Sequence, residues 1–176
     1  IMNLKEHIRS IPDYPKKGIL FRDITTLIKD EKAFKETIDQ IINKFKNFEF
    51  DKIAAIESRG FVFASAVSYL LKKPFIMLRK KNKLPAEVHS IDFELEYGTA
   101  TIEVHKDSIN KNDKVLIIDD LIATGGTAEA AAKLVEMSGG NVACFVFVIN
   151  LFDLKGSDNL IKKGYKVENL IEFPGH

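Results

Sequence analysis

The residues best suited to chemistry lie together in segment 114–127, where two adjacent carboxylates precede a stretch of small residues and hydroxyls. Asp119 and Asp120 come directly after residues 115–118, an apolar run typical of a strand covered on both faces of a parallel sheet. The carboxyl ends of such strands form the usual ligand crevice of an α/β sheet, where a carboxylate can accept hydrogen bonds from sugar hydroxyls. We therefore expect these two acids to bind a sugar.

An anion site is predicted immediately after the two acids. Backbone N–H groups without bulky side chains, together with two hydroxyls, are offered by Ala123, Thr124, Gly125, Gly126 and Thr127. From Ala128 the apolar residues recur at helical spacing until the glycine pair 139–140, so the positive end of a helix dipole also points at this stretch. Because no lysine follows the glycines, as it does in loops that bind triphosphates, a single phosphate fits better. A phosphate beside sugar hydroxyls describes a ribose 5-phosphate.

The alternative is a purely structural role, in which the acid pair only ends a strand and the glycine pair only makes a turn. Either dipeptide alone usually does no more than that. The ordered combination of strand, acids, small-residue turn and helix favours the ligand site.

A second strand, turn and helix unit lies earlier in the chain. Residues 52–56 are a candidate parallel strand, and Glu57, Ser58 and Arg59 with Gly60 form the turn into a helix. This turn presents a guanidinium and a hydroxyl at a strand's carboxyl end, where they could bind a second phosphate group. A surface arginine beside a turn glycine is usually only a solvated charge, so the residues alone give the two interpretations equal weight.

Residues 79–104 interrupt the alternation of strands and helices. Strand 74–78 leads into the basic run 79–83, which is either a solvated turn or partly a phosphate site. Apolar and polar residues then alternate over 91–97 and again over 100–105 on either side of Gly98, which predicts two antiparallel strands. This hairpin is either a flap over an active site or a plain edge hairpin.

The remaining pattern predicts an α/β fold with a mainly parallel central sheet flanked by helices. We expect a helical turn and then an extended, irregular segment over 3–28, and a helix over 31–46 capped by Asp30. A strand over 142–149, a short helix near 157–163 and weaker strands at 165–167 and 170–171 complete the chain. No linker divides the sequence, so we expect one domain over residues 1–176.

The composition argues against several classes of partner and site. The net charge of +1 indicates neither a nucleic-acid nor a membrane partner. The longest strand-like apolar run is far shorter than the roughly 20 residues that span a bilayer, and Cys144 is a lone thiol, so we expect a cytoplasmic protein. The four histidines are scattered without the spacing of a zinc site. Because Ile1 precedes Met2, we expect Met2 to be the native start and Ile1 an added residue.

Segment 115–127 resembles the signature of the type I phosphoribosyltransferases. Other segments that resemble the same family are 8–15, 21–24, 57–61, 79–85, 95–98 and 154–156. The likeness follows the chain in order over nearly its whole length. It implies the type I phosphoribosyltransferase fold, with the antiparallel hairpin as a flap over the active site.

The resemblance also implies an activity. The expected reaction transfers the phosphoribosyl group of 5-phosphoribosyl 1-pyrophosphate to adenine and gives AMP and pyrophosphate, a step of purine salvage. Mg²⁺ is expected on donor oxygens and waters rather than in a protein cage, so no residue is assigned as a metal ligand. A homodimer is also implied.

By the same resemblance, each predicted residue receives a role. The residues that bind ribose 5-phosphate are then Asp119, Asp120, Ala123, Thr124, Gly125, Gly126 and Thr127. Pyrophosphate is assigned to Glu57, Ser58, Arg59, Arg79, Lys80 and Lys83, and a cis peptide is implied between Glu57 and Ser58. Phe21 is then the residue that stacks on the adenine ring, and Leu20 and Arg22 contact the edge of the ring. Catalytic roles fall to Arg59, Glu96 and Tyr97, with Glu96 a candidate to manage a proton on the purine.

Several alternatives remain open. Phe21 could instead be a residue of the hydrophobic core, with Arg22 paired to Asp23 or Glu57. Glu96 could be only a polar residue on the solvent side of a hairpin. The acceptor could be hypoxanthine, guanine, xanthine or orotate, although segment 21–23 argues for adenine. A regulator that senses phosphoribosyl pyrophosphate and binds nucleic acid without catalysis is the remaining class, and the weak net charge argues against it.

Overall fold

The amino-terminal segment forms a small two-stranded sheet of its own. The computed structural model describes residues 2–95 and 98–176. After a 3-10 turn over Leu4–His7, strand β1 (Arg9–Pro12) pairs antiparallel with β2 (Leu20–Asp23), and a short helix α1 (Thr25–Ile28) follows. An ion pair of 2.6 Å between Arg9 and Asp23 joins the two strands where they begin and end. The prediction of an irregular segment was therefore wrong for these two strands.

The first long helix confirms its predicted position. Helix α2 (Glu31–Phe45) begins after Asp30, whose Oδ1 accepts hydrogen bonds of 3.0 Å from the amides of Lys32 and Ala33. Such a cap satisfies amides that have no partner inside the helix. The apolar face of α2, with Ile38, Ile41 and Phe45, is buried against the main sheet.

The main sheet and its helices follow. In chain order they are β3 (Lys52–Ile56), α3 (Arg59–Leu71), β4 (Phe75–Lys80), β5 (Val88–Leu95), β6 (Gly98–His105), β7 (Lys114–Ile122), α4 (Gly126–Met137), β8 (Asn141–Leu151), α5 (Gly156–Lys162) and β9 (Val167–Phe173). A 3-10 turn over Phe152–Leu154 joins β8 to α5.

Within the described residues the sheet has seven strands in the order β5-β6-β4-β3-β7-β8-β9. The five strands from β4 to β9 in this order pair in parallel, whereas β6 pairs antiparallel with both β4 and β5. Helices α2 and α3 pack on one face and α4 on the other, so two apolar clusters sandwich the sheet. The predicted mainly parallel α/β architecture is confirmed.

Two strands run further than their apolar cores. β7 continues four residues beyond the predicted 115–118 and contains both Asp119 and Asp120, and β4 continues through Arg79 and Lys80. Both extensions are explained by pairing: Asp119 lies opposite Phe147 of β8, and Arg79 opposite Glu103 of β6. The two predicted weak strands near the carboxyl end are one strand, β9.

The hairpin of β5 and β6 is confirmed, and it is part of the main sheet. Its register runs from Val88 opposite His105 to Leu95 opposite Gly98. Near its tip, the Glu94 carbonyl oxygen lies 3.7 Å from the position of a Cβ on Gly126, so the hairpin reaches the start of α4. The predicted catalytic pair Glu96 and Tyr97 lies outside the described residues.

No helix in the described ranges combines the length and the apolar character needed to cross a membrane.

Candidate active site

A cleft of about 350 Å³ opens at the carboxyl ends of β3 and β7. The strand ends and turns that line it contribute Ile56, Glu57, Ser58, Arg59, Lys80, Asp119, Asp120, Leu121, Ile122, Ala123, Thr124, Gly125, Gly126, Thr127, Ala128 and Phe147. All seven residues assigned to ribose 5-phosphate are in this set, with four of the six assigned to pyrophosphate. Two turns that are about 65 positions apart in sequence thus share one cleft, because their strands are neighbours in the sheet.

The phosphate loop, residues 123–127, forms the floor at the start of α4. Gly125 has φ of +93°, a left-handed conformation that favours glycine, and it caps α4 without a side-chain hydrogen bond. The first amides of α4, from Gly126 onward, have no carbonyl partner within the helix and lie at the positive end of its dipole. This geometry suits a phosphate group.

The two carboxylates differ in their surroundings. Asp120 is only 6% exposed, and its Oδ2 accepts a 2.6 Å hydrogen bond from Arg59 Nε. The Asp119 Oδ1 accepts from the Asp120 amide at 2.8 Å. Burial of its carboxyl, together with the neighbouring Asp120 charge, raises the pKa of Asp119 well above the ordinary range.

Arg59 is held in place by Asp120. The charge of Asp120 raises the pKa of the Arg59 guanidinium, which stays cationic. Its side chain is still about half exposed, so the cation also faces the cleft opening. Arg59, assigned to pyrophosphate binding, and Asp120, assigned to ribose binding, are therefore bonded to each other.

The turn before α3 allows a close approach between α3 and β7. The peptide bond between Glu57 and Ser58 is cis, as the family resemblance implied. Two residues later, a Cβ on Gly60 would lie 3.0 Å from Asp119 Oδ1 and 3.1 Å from the Ile118 carbonyl oxygen. Glycine at position 60 therefore leaves the space that the Asp119 carboxylate occupies.

The basic run is organised by two acids. Glu57 Oε1 accepts from Arg79 Nε at 3.1 Å and from the Lys80 amide at 2.7 Å, so its carboxylate faces the basic run. Lys80 lines the cleft, whereas Arg79 and Lys83 do not. At the far end of the run, the buried Glu103 accepts a 2.9 Å hydrogen bond from the Asn82 amide.

The residues assigned to adenine lie on β2, beside the cleft rather than in its lining. The Phe21 ring is partly buried, and its centroid lies 5.9 Å from the guanidinium carbon of Arg59. The side chain of Arg22 turns away, with hydrogen bonds of 2.6 Å to Ser10 Oγ and 2.9 Å to the Pro174 carbonyl oxygen. Neither of the acid partners considered for Arg22 is bonded to it, because Asp23 bonds Arg9 and Glu57 bonds Arg79.

Several cleft residues were missed by sequence reasoning. They are Ile56, Leu121, Ile122, Ala128 and Phe147. Leu121 and Ile122 continue the apolar run of β7 after the acid pair, and that continuation was the available signal for a longer strand. Phe147 lies within a uniformly apolar strand, where no local pattern marks the residue nearest to a ligand.

Known proteins are similar to this chain in fold and in sequence. Residues 24–175 match the phosphoribosyl transferase domain family. An adenine phosphoribosyltransferase of Pelagibacter ubique is 83% identical over 99% of this chain and 100% of its own length. The crystal structure of the enzyme of that name from Thermoanaerobacter pseudethanolicus superposes with a TM-score of 0.92 at 48% identity, covering 97% of this chain and 98% of that chain.

A second solved structure includes ligands. The adenine phosphoribosyltransferase of Saccharomyces cerevisiae, complexed with adenine and an imino-altritol bisphosphate, has a TM-score of 0.88 at 36% identity, over 95% of this chain and 96% of its own.

Proposed function

This chain belongs to the phosphoribosyltransferase family, and we propose that it transfers the phosphoribosyl group of 5-phosphoribosyl 1-pyrophosphate to adenine. The products are AMP and pyrophosphate, and the step is one of purine salvage. The observation that carries the proposal is the cleft in which the helix amides of the phosphate loop lie beside Asp119 and Asp120. Amides at a helix start suit the 5-phosphate, and the adjacent carboxylates suit the ribose hydroxyls.

The charge distribution of the cleft fits the transition state of this reaction. Breaking the bond at the anomeric carbon leaves positive charge on the sugar and negative charge on pyrophosphate. Arg59 and Lys80 line the cleft and supply cations, with Ser58 as a hydroxyl donor. Arg79 is proposed to act through Glu57, which it bonds, and Lys83 to reach the donor from the exposed basic run.

Magnesium is proposed as the cofactor. Carboxylate oxygens are the hard ligands that Mg²⁺ prefers, and Asp119 and Asp120 supply them in the cleft. Since Asp120 Oδ2 already bonds Arg59, we propose that the two acids hold the ion through waters and ribose hydroxyls, with donor oxygens as its direct ligands. When bound, the ion would neutralise charge on the leaving pyrophosphate.

Adenine is proposed to bind at β2, with its ring against Phe21. The half-buried Phe21 ring lies near Arg59, which borders the donor cleft, so a base stacked there would be adjacent to the anomeric carbon. The backbones of Leu20 and Arg22 would then read the purine edge. Because the Arg22 side chain is bonded to Ser10 and Pro174, its contribution is assigned to main-chain atoms.

Glu96 and Tyr97 are proposed to close over the donor and base. The described part of the hairpin supports this role, because Glu94 already lies near Gly126 in the phosphate loop. Closure would exclude the water that hydrolyses the donor, and Glu96 would manage a proton on the purine. Glu96→Gln is expected to lower kcat at saturating substrate concentrations. An unchanged kcat in this variant would mean that Glu96 is only a polar residue of the hairpin.

Three wider features complete the proposal. The whole chain, residues 1–176, is proposed to act as one catalytic domain, since the two apolar clusters share one sheet. A homodimer is proposed from the family resemblance and from exposed apolar side chains on α3. The cytoplasm is proposed as its compartment, because a chain with one cysteine has no internal disulfide that a reducing environment would break.

The test is a panel of bases incubated with the donor and magnesium, read out as nucleotide formed. We expect AMP from adenine, with far less product from the 6-oxopurines hypoxanthine, guanine and xanthine, because a site that pairs with an exocyclic amine rejects its 6-oxo analogue. Orotate, a pyrimidine, should also give far less product. Nucleotide formed mainly from another base would mean that the chain is a phosphoribosyltransferase with a different base specificity. Donor binding without turnover on any base would favour a regulator.

A further inference from the structure

The segment Leu154-Lys155-Gly156 has no role in the site described so far, although it packs directly behind the phosphate loop. Gly156 begins α5 and is buried, and its amide donates a 3.2 Å hydrogen bond to the Ala123 carbonyl oxygen. We propose that Gly156 is a positioning residue that fixes the backbone of the phosphate loop for a phosphate monoester. This inference rests on the proposed function for the identity of the ligand.

The contact leaves no room for a side chain. A Cβ on Gly156 would overlap the Ala123 carbonyl oxygen and lie 2.8 Å from the Thr124 carbonyl carbon and 2.9 Å from the Gly125 nitrogen. All three are backbone atoms, so no side-chain rotation can relieve the clash. Any larger residue at 156 must therefore displace either α5 or the phosphate loop.

The contact is reciprocal. A Cβ on Gly125 would lie 3.2 Å from both the Cα and the carbonyl oxygen of Gly156, and Gly125 already needs its left-handed conformation. Two glycines thus bring two backbones together directly. The amides that follow Gly125 receive their direction from this contact.

The α5 side of the contact has anchors outside the phosphate loop. The buried Ser157 Oγ accepts a 3.1 Å hydrogen bond from Asn169 Nδ2 of β9, which fixes the start of α5 to the main sheet. On the other side of Gly156, Lys155 has a left-handed φ of +66°, and Asp153 Oδ1 accepts from the Gly175 amide. Because these bonds hold segment 153–157, a side chain at 156 is expected to move the loop instead.

The experiment compares two ligands of the same cleft by calorimetry. Ribose 5-phosphate probes the phosphate loop, and pyrophosphate with magnesium chloride probes the residues proposed to bind pyrophosphate, among them Ser58, Arg59 and Lys80. We expect Gly156→Ala to bind ribose 5-phosphate at least about tenfold more weakly, the equivalent of one hydrogen bond to a charged group, while pyrophosphate changes by less than about twofold. Asn159→Ala, an exposed change in the same helix, is the matched control and should alter neither.

A second variant keeps the proposal testable if Gly156→Ala fails to fold. Ser157→Ala adds no atom but removes the anchor to Asn169, and it should weaken ribose 5-phosphate binding by about threefold while pyrophosphate is unchanged. Unchanged ribose 5-phosphate affinity in either folded variant would overturn the inference, as would equal weakening of both ligands. Failure of the proposed function is distinguishable, because wild-type protein would then bind ribose 5-phosphate without converting adenine.

Discussion

At the scale of single residues, the ion pair of Arg59 and Asp120 connects two halves of the site that the sequence presents separately. Asp120 is buried and Arg59 is half exposed, so the pair has one fixed and one movable partner. A donor that bonds Asp120 through its ribose hydroxyls competes with Arg59 for the same carboxylate. The guanidinium released by that competition would be free to meet pyrophosphate.

Asp120→Asn tests this arrangement. The variant should raise the Kd of the donor by an amount equivalent to about 1.5 to 3 kcal/mol, because a hydrogen bond to a charged group is lost. Since Asp120 is buried within β7 rather than at its end, the variant should also lose stability. Calorimetry with the donor and thermal unfolding measure the two effects.

The matched control is Asp39→Asn, which removes a carboxylate paired with Lys35 at 2.7 Å on the surface of α2. It should change neither quantity appreciably, because exposed ion pairs contribute little. Donor affinity unchanged in Asp120→Asn would remove Asp120 from the ribose site.

Two aspartates are expected to give opposite pH dependences of stability. Burial raises the pKa of Asp119, so the stability it contributes is present at low pH and is lost as pH rises towards the raised pKa. For Asp23, burial opposes ionisation, but hydrogen bonds from Arg9 and Thr25 prevail and lower the pKa. Its contribution is present above the ordinary aspartate pKa and is lost as pH falls through the lowered one.

Urea unfolding between about pH 3 and 8 measures this contrast. The free energy of unfolding of wild type minus that of Asp119→Asn should fall as pH rises. The same difference for Asp23→Asn should increase as pH rises. Parallel slopes in the two comparisons would contradict the assigned environments.

At the scale of elements, the proposed recognition of the base depends on the hairpin of β1 and β2. Phe21 contacts Tyr14 edge to face at 5.1 Å and Arg59 at 5.9 Å, and it belongs to neither apolar cluster of the sheet. Phe21→Ala should therefore raise the KM for adenine by an amount equivalent to about 1 to 3 kcal/mol, as for aromatic stacking of bases, with little change in the KM for the donor. Steady-state kinetics with each substrate varied in turn would measure this.

Tyr14→Ala is the natural control, because it removes the exposed neighbour of Phe21 without removing the stacking surface. It should have the smaller effect on the KM for adenine. Loss of thermal stability in Phe21→Ala, with both Michaelis constants affected alike, would mean that Phe21 has a packing role instead.

The same elements show what could be predicted from sequence. The cores of β3, β7 and β8 are continuous apolar runs, which buried parallel strands require, and α2 has a cap and a periodic face. By contrast, β1 and β2 are short, with burial patterns that do not alternate, and the ion pair of Arg9 with Asp23 that joins them links distant positions. Such long-range contacts leave no local pattern.

The candidate site divides in the same way. The phosphate loop and the acid pair were predictable because each needs residue types in a fixed local order. The bond between Arg59 and Asp120, the engagement of Glu57 by Arg79 and the contact of Gly156 with the loop were not, since each joins distant parts of the chain. Their partners become neighbours only when the sheet forms.

At the scale of the whole molecule, the cleft lies at the carboxyl edge of the parallel sheet, and helix α3 carries exposed apolar residues beyond it. Helix α3 begins at the cleft with Arg59 and ends at Leu71 on the far side. Along it Val62, Tyr69 and Leu70 are exposed apolar residues, and Tyr69 is 83% exposed. Met77 of β4, which pairs with the strand preceding α3, is exposed as well.

An apolar helix face of this kind is typical of an interface with another protein, and the proposed homodimer supplies a second copy of the same chain. We therefore expect wild-type protein to sediment at twice the chain mass of 19.9 kDa, and Tyr69→Asp to shift the population towards the monomer, because a buried unpaired charge opposes association. Ile161→Asp, at an exposed apolar residue of α5, is the matched control and should leave the dimer intact. Sedimentation velocity at several concentrations distinguishes the outcomes: a wild-type monomer would refute the dimer, and a dimer equally stable in Tyr69→Asp would move the interface away from α3.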